Sequence, residues 1–238
     1  MRTLLITNDD GIQADGLHRL AAAAREFGEV WVVAPDGQRS AASHSITLHS
    51  HIDVFPHDFP VPGVRAFTCS GMPGDCVRVG ALGILPRRPD AVLSGINDGY
   101  NAATDVQYSA TVGAAMEAAF QGIHAIAVSE GTRLRHEATD FYLRDVLAEL
   151  IDKRLGYGQI HNVNFPSCSL RECRGILRDR SVSHGAFYRD SYSVKKKLPG
   201  GGMRLMVEGE YNEDAEEGTD FRALVDGYVS IGIVRNIG

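Results

Sequence analysis

From Arg2 to about Glu130 the chain alternates short apolar, β-prone runs with stretches whose apolar residues recur at helical spacing, and this restricts the fold more than any other feature. Arg2–Thr7 (RTLLIT) reads as a first strand, and Leu17, Leu20, Ala21, Ala24 and Phe27 as the buried stripe of a helix that Gly28 stops. Val30–Pro35 (VWVVAP) is a second strand. After a long polar stretch come extended runs around His51–Phe55 and Val64–Ser70, the latter followed by a helix from GMPGD (Gly71–Asp75) to about Leu85. Pro89–Gly95 reads as a buried strand, Ser109–Phe120 as a small-residue helix, and His124–Ser129 as a strand. Leu143, Val146, Leu147, Leu150 and Ile151 mark an amphipathic helix. A strand followed repeatedly by a helix requires a mostly parallel sheet with helices packed on it.

His161–Pro166 looks like one more strand, but from about Arg174 the rhythm stops. Two strand-like runs around a Lys/Pro/Gly tip, SYSVKKKLPGGGMRLMVEG (Ser191–Gly209), form a hairpin arm. The division is therefore a core over residues 1–173 and a C-terminal segment over 174–238, with the arm at about 181–210 and a terminal stretch returning to the core. Lys195, Lys196 and Lys197 read as a solvated turn, and Asn212–Asp220 as an exposed acidic loop.

With 238 residues, 44% of them hydrophobic, the chain can bury a large core. No apolar run approaches the roughly 18 residues of a membrane span, and no leader pattern opens the chain, so a cytoplasmic address and no membrane partner are expected. A net charge of −6 argues against a nucleic-acid surface. Cys69, Cys76, Cys168 and Cys173 lack C-x-x-C pairing and read as small buried hydrophobes, not zinc ligands or a disulfide framework.

In an open parallel sheet, ligands bind beyond the carboxyl ends of the strands, so the loops that follow strands are the ones to search. They hold Asn8, Asp9, Asp10 and Gly11; Asp36, Arg39, Ser40, Ser43 and Ser45; and Asn97, Asp98, Asn101 and Asp105. Two carboxylates about 4 Å apart repel by roughly 4 kcal/mol at an effective dielectric of 20, so Asp9 and Asp10 need a proton, a cation or a metal. The surrounding hydroxyls and amides suit Mg²⁺, Mn²⁺ or Ca²⁺ and suit zinc or copper badly. The alternative is that one acid caps the following helix or braces a turn. Ser109 and Thr111 open a Gly/Ala-rich helix whose free N–H groups could seat a phosphate, although both are also common N-cap residues.

Several of these stretches together resemble the SurE family of survival proteins, metal-dependent nucleotidases acting on nucleoside monophosphates. The resemblance rests on TNDDG (Thr7–Gly11), VVAPDGQRSAASHSITL (Val32–Leu48), GMPGDCV (Gly71–Val77) and SGINDGYNAATDVQYSATVGAAMEA (Ser94–Ala118), with NVNFP and TDFRALVDGYVSI farther on, and covers essentially the whole chain. It implies a Rossmann-like core and one divalent cation per subunit, Mg²⁺ or Mn²⁺, with Ca²⁺ able to occupy the site. The implied metal ligands are Asp9, Asp10, Ser40 and Asn97. The implied phosphate-binding and catalytic residues are Asn101, Ser109 and Thr111, with Ser43 and Ser45 nearby. The family also implies hydrolysis of nucleoside 5′- and/or 3′-monophosphates, and a homodimer or tetramer built by exchange of the C-terminal hairpin.

The chain departs from the family where Ala103 and Ala110 replace glycine, where Tyr100 replaces a small residue or proline, and where Asp98 adds an acid. Ala110 could narrow a phosphate seat; Tyr100 offers a face to a base or covers the core. His44 reads as a solvated loop residue. A dinucleotide-dependent oxidoreductase is disfavoured because N-D-D-G stands where G-x-G-x-x-G is needed. A haloacid-dehalogenase-type phosphatase is disfavoured because its two acids stand two apart, not adjacent. A nucleotide-binding regulatory module without turnover is the remaining alternative, with Ala110 as its support.

Overall fold

β1 (Thr3–Thr7) is buried along its full length, as a central parallel strand covered on both faces must be. The computed structural model describes residues 1–132 and 136–236. In chain order, α1 (Asp15–Ala24), β2 (Glu29–Pro35), β3 (Val54–His57), β4 (Arg65–Cys69), α2 (Pro73–Val79), β5 (Ala91–Asp98), α3 (Ala110–Phe120), β6 (His124–Glu130), α4 (Glu137–Leu150) and β7 (Gln159–Phe165) follow β1. β8 (Ile176–Arg180), β9 (Tyr188–Lys197), β10 (Met203–Tyr211), α5 (Asp220–Val225) and β11 (Val229–Arg235) complete the chain.

The main sheet has nine strands in the order β3-β4-β2-β1-β5-β6-β7-β11-β8. β4, β2, β1, β5, β6 and β7 are mutually parallel, while β3 and β11 run antiparallel to β4 and β7. The chain winds from β1 outward through β2, then restarts at β5 on the other side of β1 and winds through β6 and β7. The β1/β5 junction is therefore the topological switch point, where a ligand crevice opens.

Helices cover both faces. Leu17, Leu20, Ala21 and Ala24 of α1 and Leu143, Val146, Leu147 and Leu150 of α4 pack with Leu4, Ile6, Val32, Leu93 and Val128. On the other face α2 and α3 pack on Leu5, Val33, Val92 and Ala127. Every residue of α3 from Ala110 to Ala119 is buried, so small side chains let this helix lie close to the sheet. The helix expected to reach Leu85 ends as an α-helix at Val79 and continues as a wider π turn over Gly80–Ile84.

β9 and β10 pair only with each other, and they leave Tyr192, Val194, Leu205, Met206 and Val207 exposed. The last strand returns to the sheet between β7 and β8. Periodicity did not reveal β8 or β11, because both are specified by partners distant in the chain. Ala103 is fully buried and has φ of +52°, a left-handed conformation that glycine adopts at less cost. Among the described residues, no helix is long and apolar enough to cross a membrane.

Candidate active site

The carboxyl end of β1 turns at once into Asn8, Asp9, Asp10 and Gly11. Asn8 Nδ2 donates to the Gly11 carbonyl at 2.9 Å and closes the turn. Gly11 has φ of +100°, and a Cβ there would sit 3.3 Å from Gly37, so this turn presses against the loop after β2. That loop is held in return by Arg39 N–H donating to the Asp9 carbonyl at 2.7 Å. Within that loop Gln38 Nε2 donates to Ser40 Oγ at 3.1 Å.

From the other half of the sheet, a register shift between Ser94 and Asn97 bends the end of β5 and re-aims its side chains, as bulges beside sites do. Asp98 N–H donates to Asp10 Oδ2 at 3.2 Å. Asn97 Nδ2 donates to the Gly99 carbonyl at 2.8 Å, which commits the amide hydrogen and leaves Oδ1 as the acceptor it can offer. Asp9 and Asp10 from the loop after β1, Ser40 from the loop after β2 and Asn97 from the end of β5 thus lie around the switch point.

α3 closes the site. Ser109 is its N-cap, with Oγ accepting from Val112 N–H at 3.0 Å, and Thr111 Oγ1 donates to Asp9 Oδ1. Ser43 donates through Oγ to the Gln107 carbonyl at 2.7 Å, and its N–H to the Tyr108 carbonyl at 2.9 Å. Asn101 is buried in a polar network: its Nδ2 donates to Ser129 Oγ at 2.7 Å, and its carbonyl accepts from Asn162 and Asn164. Ser45 bonds back to the Ala42 carbonyl.

The electrostatics identify what this cluster lacks. Asp9 is 3% exposed; burial, with the charge of Asp10 adding to it, raises its carboxyl to about 6 even though Thr111 donates to it. Burial, and the neighbouring Asp98, also raise Asp10. Among the described residues no Lys or Arg pairs with either acid, the nearby Arg39 being paired with Asp36 at 2.7 Å. The Asn8 Oδ1 atom is buried with no hydrogen-bond partner. Uncompensated carboxylates surrounded by neutral oxygens fit a hard divalent cation and fit a soft one poorly. No group of three His, Cys, Asp or Glu side chains among the described residues is placed to hold a metal.

Three residues that sequence reasoning undervalued shape the loop carrying Ser40 and Ser43. His44, read as solvated, hydrogen-bonds Glu117 through Nε2 at 3.0 Å and stacks on Phe120. Glu117, inside the apolar run of α3, also accepts from Arg78 at 3.0 Å and Gln121 at 2.9 Å; burial works against its charge, but these partners outweigh it and bring the carboxyl down to about 2. Asp75 accepts from Thr47 N–H and Oγ1 and from Met72 N–H, pinning the far end of the loop. Its presence in the GMPGD stretch was the available signal; Glu117 gave none. Tyr100 stacks on Phe187 with centroids 5.5 Å apart, its hydroxyl accepts from Ser167 N–H at 2.9 Å, and it also lines a cavity with Asp105 and Tyr188. Cys69, Cys76, Cys168 and Cys173 are free thiols, the first two buried and the other two half-buried.

A family model described as "Survival protein SurE" matches residues 4–185. A protein of Synechococcus sp. (strain JA-3-3Ab) named 5'-nucleotidase SurE is 42% identical over 236 residues, covering 96% of this chain and 89% of the relative. One from Cronobacter sakazakii (strain ATCC BAA-894) named 5'/3'-nucleotidase SurE is 40% identical over 96% of this chain and 88% of its own length. The crystal structure of the SurE protein from Aquifex aeolicus superposes with a TM-score of 0.82 at 32% identity, covering 98% of this chain and 93% of that one. With a model spanning most of the sequence and relatives this similar along nearly all of it, the chain belongs to the SurE family.

Proposed function

We propose that the protein hydrolyses nucleoside 5′- and 3′-monophosphates to nucleoside and phosphate, with Asp9, Asp10, Ser40 and Asn97 holding one Mg²⁺ or Mn²⁺. The observation that carries the reading is the pair of adjacent, uncompensated acids at the β1/β5 switch point, tied through Thr111 to the start of α3. The names of the relatives support the same activity. When bound, the cation supplies charge neutralisation for the phosphoryl group during attack by water.

The protein's own residues do the rest. Thr111 fixes the orientation of Asp9, and the α3 N-terminus offers backbone N–H groups and a favourable dipole to phosphate oxygens. Ser109 and Ser43 line the approach, and Asn101 locks the segment from Asn97 to α3 through Ser129, Asn162 and Asn164. Residues 1–173 carry this chemistry, and residues 174–238 carry assembly through exchange of the β9–β10 hairpin between two subunits, two such dimers making a tetramer. A cytoplasmic location fits the activity.

The test is phosphate release from 5′- and 3′-monophosphates and an aryl phosphate with Mn²⁺, with Mg²⁺ and with EDTA. Metal-dependent release is expected, and Asp10→Asn should lower kcat on the order of 100-fold or more while the circular dichroism spectrum is unchanged. Nucleotide-induced stabilisation without any release would instead make the protein a binding module.

A further inference from the structure

The loop from Ser40 to Thr47 adopts a backbone that its own residues disfavour. Ala41 and Ser43 stand at φ of +58° and +54°, in the left-handed region where a Cβ crowds the following carbonyl oxygen. Ser40, Ala41, Ser43 and Ser45 are exposed, so burial does not hold them there. Strain of this kind persists only where the surrounding structure over-determines the backbone. Ser40, the candidate metal ligand supplied by the loop after β2, stands next to the first of these two residues.

Three tethers supply the constraint. Ser43 is tied to the segment before α3 by its N–H and its Oγ, which donate to the Tyr108 and Gln107 carbonyls at 2.9 and 2.7 Å. Thr47 is tied to Asp75 of α2. Between them His44, which follows the left-handed pair directly, reaches along α3: its Nε2–H donates to Glu117 at 3.0 Å, and its ring stacks on Phe120 with centroids 5.5 Å apart. Glu117 is itself fixed from two further directions, by Arg78 of α2 at 3.0 Å and by Gln121 at 2.9 Å. His44 is therefore anchored to a carboxylate that does not move with the loop.

We infer that His44 is a positioning residue for the metal site: bonded to Glu117, it holds Ala41 and Ser43 in their left-handed turn and so keeps Ser40 in place for the cation before one arrives. The inference rests on the proposed metal site and adds to it a residue that is not a ligand. Without the bond the loop relaxes, and cation binding has to restore the strained turn, which weakens affinity while the ligand set stays the same.

The experiment is calorimetric titration of Mn²⁺ into the full-length protein, His44→Leu, His44→Gln, Ala41→Gly and the double variant Ala41→Gly/His44→Leu, with melting temperatures measured in EDTA alongside. His44→Leu keeps an apolar side chain against Phe120 and loses the bond; it should bind Mn²⁺ about 5- to 30-fold more weakly, the equivalent of one left-handed residue's strain. His44→Gln, whose amide N–H can take the Glu117 bond, should stay within about threefold of the unaltered protein. In the Ala41→Gly background the same His44→Leu change should cost less than about threefold, because glycine adopts left-handed backbone freely. Equal Mn²⁺ affinity in His44→Leu and the unaltered protein overturns the inference even if the variant melts lower, since His44 then serves the fold alone. A loss of the same size with and without Ala41→Gly overturns it too. Phosphate release separates the two readings: at saturating Mn²⁺, His44→Leu should recover the kcat of the unaltered protein with KM for the nucleotide unchanged, and a kcat that stays low overturns the inference. If no form releases phosphate from any substrate, the nucleotidase reading fails and the Mn²⁺ titration still decides the role of His44; if the unaltered protein binds no Mn²⁺, the metal site and the inference fall together.

Discussion

Asp9 has two demands placed on it: its surroundings remove it from water, and its position beside Asp10 denies it a favourable field. Without a cation, its charge is a cost to the fold. At pH 8 in EDTA, Asp9→Asn should therefore melt above the unaltered protein, by about 2 kcal/mol or roughly 4–8 °C for a chain of this size. Added Mn²⁺ should raise the melting temperature of the unaltered protein and not that of the variant. A lower melting temperature for Asp9→Asn in EDTA would show that the carboxylate is a structural brace. These acids were legible in the sequence because adjacent carboxylates after an apolar strand have few inexpensive explanations. Glu117 was not, since a single acid within AAMEAAF gives no sign of partners at His44 and Arg78.

At the scale of elements, α3 and the loop from Ser40 to Thr47 act as seat and occupant. A Cβ on Gly113 would lie 2.5 Å from the Ser43 carbonyl oxygen and 2.9 Å from His44 Cα. Helix propensity alone favours Gly113→Ala by about 1 kcal/mol; the clash with backbone should reverse the sign and cost about 1–3 kcal/mol, together with weaker Mn²⁺ binding as Ser40 shifts. Denaturant titration and metal titration check both parts. The Glu117 contacts have a pH signature. Its carboxyl is held at about 2, below the ordinary 4.5, so its contribution is fully present above about pH 4.5 and is lost as pH falls towards 2. The stability gap between the unaltered protein and Glu117→Gln, followed by denaturation between pH 7 and pH 2, should be widest at neutral pH and close below pH 4.5. A gap independent of pH would assign the loss to packing. The parallel core was readable in outline because each βα unit announces itself locally, while this seating depends on residues 73 apart and does not.

For the whole molecule, the β9–β10 hairpin has apolar residues on display and no place in the main sheet. Replacing Tyr188–Tyr211 by a short Gly-rich linker should leave the nine-stranded sheet intact by circular dichroism and reduce the mass measured by light scattering to that of one subunit. An unchanged oligomer mass would place the contact elsewhere. The other C-terminal feature, β11 lying between β7 and β8, has a consequence for biosynthesis. While the ribosome is still making the chain, β7 has an open edge and β8 has no neighbour to pair with. The nascent protein can close this part of its sheet only after β11 has emerged from the exit tunnel, so a premature stop before Val229 leaves β7 with an open edge, a route to aggregation rather than to a smaller enzyme.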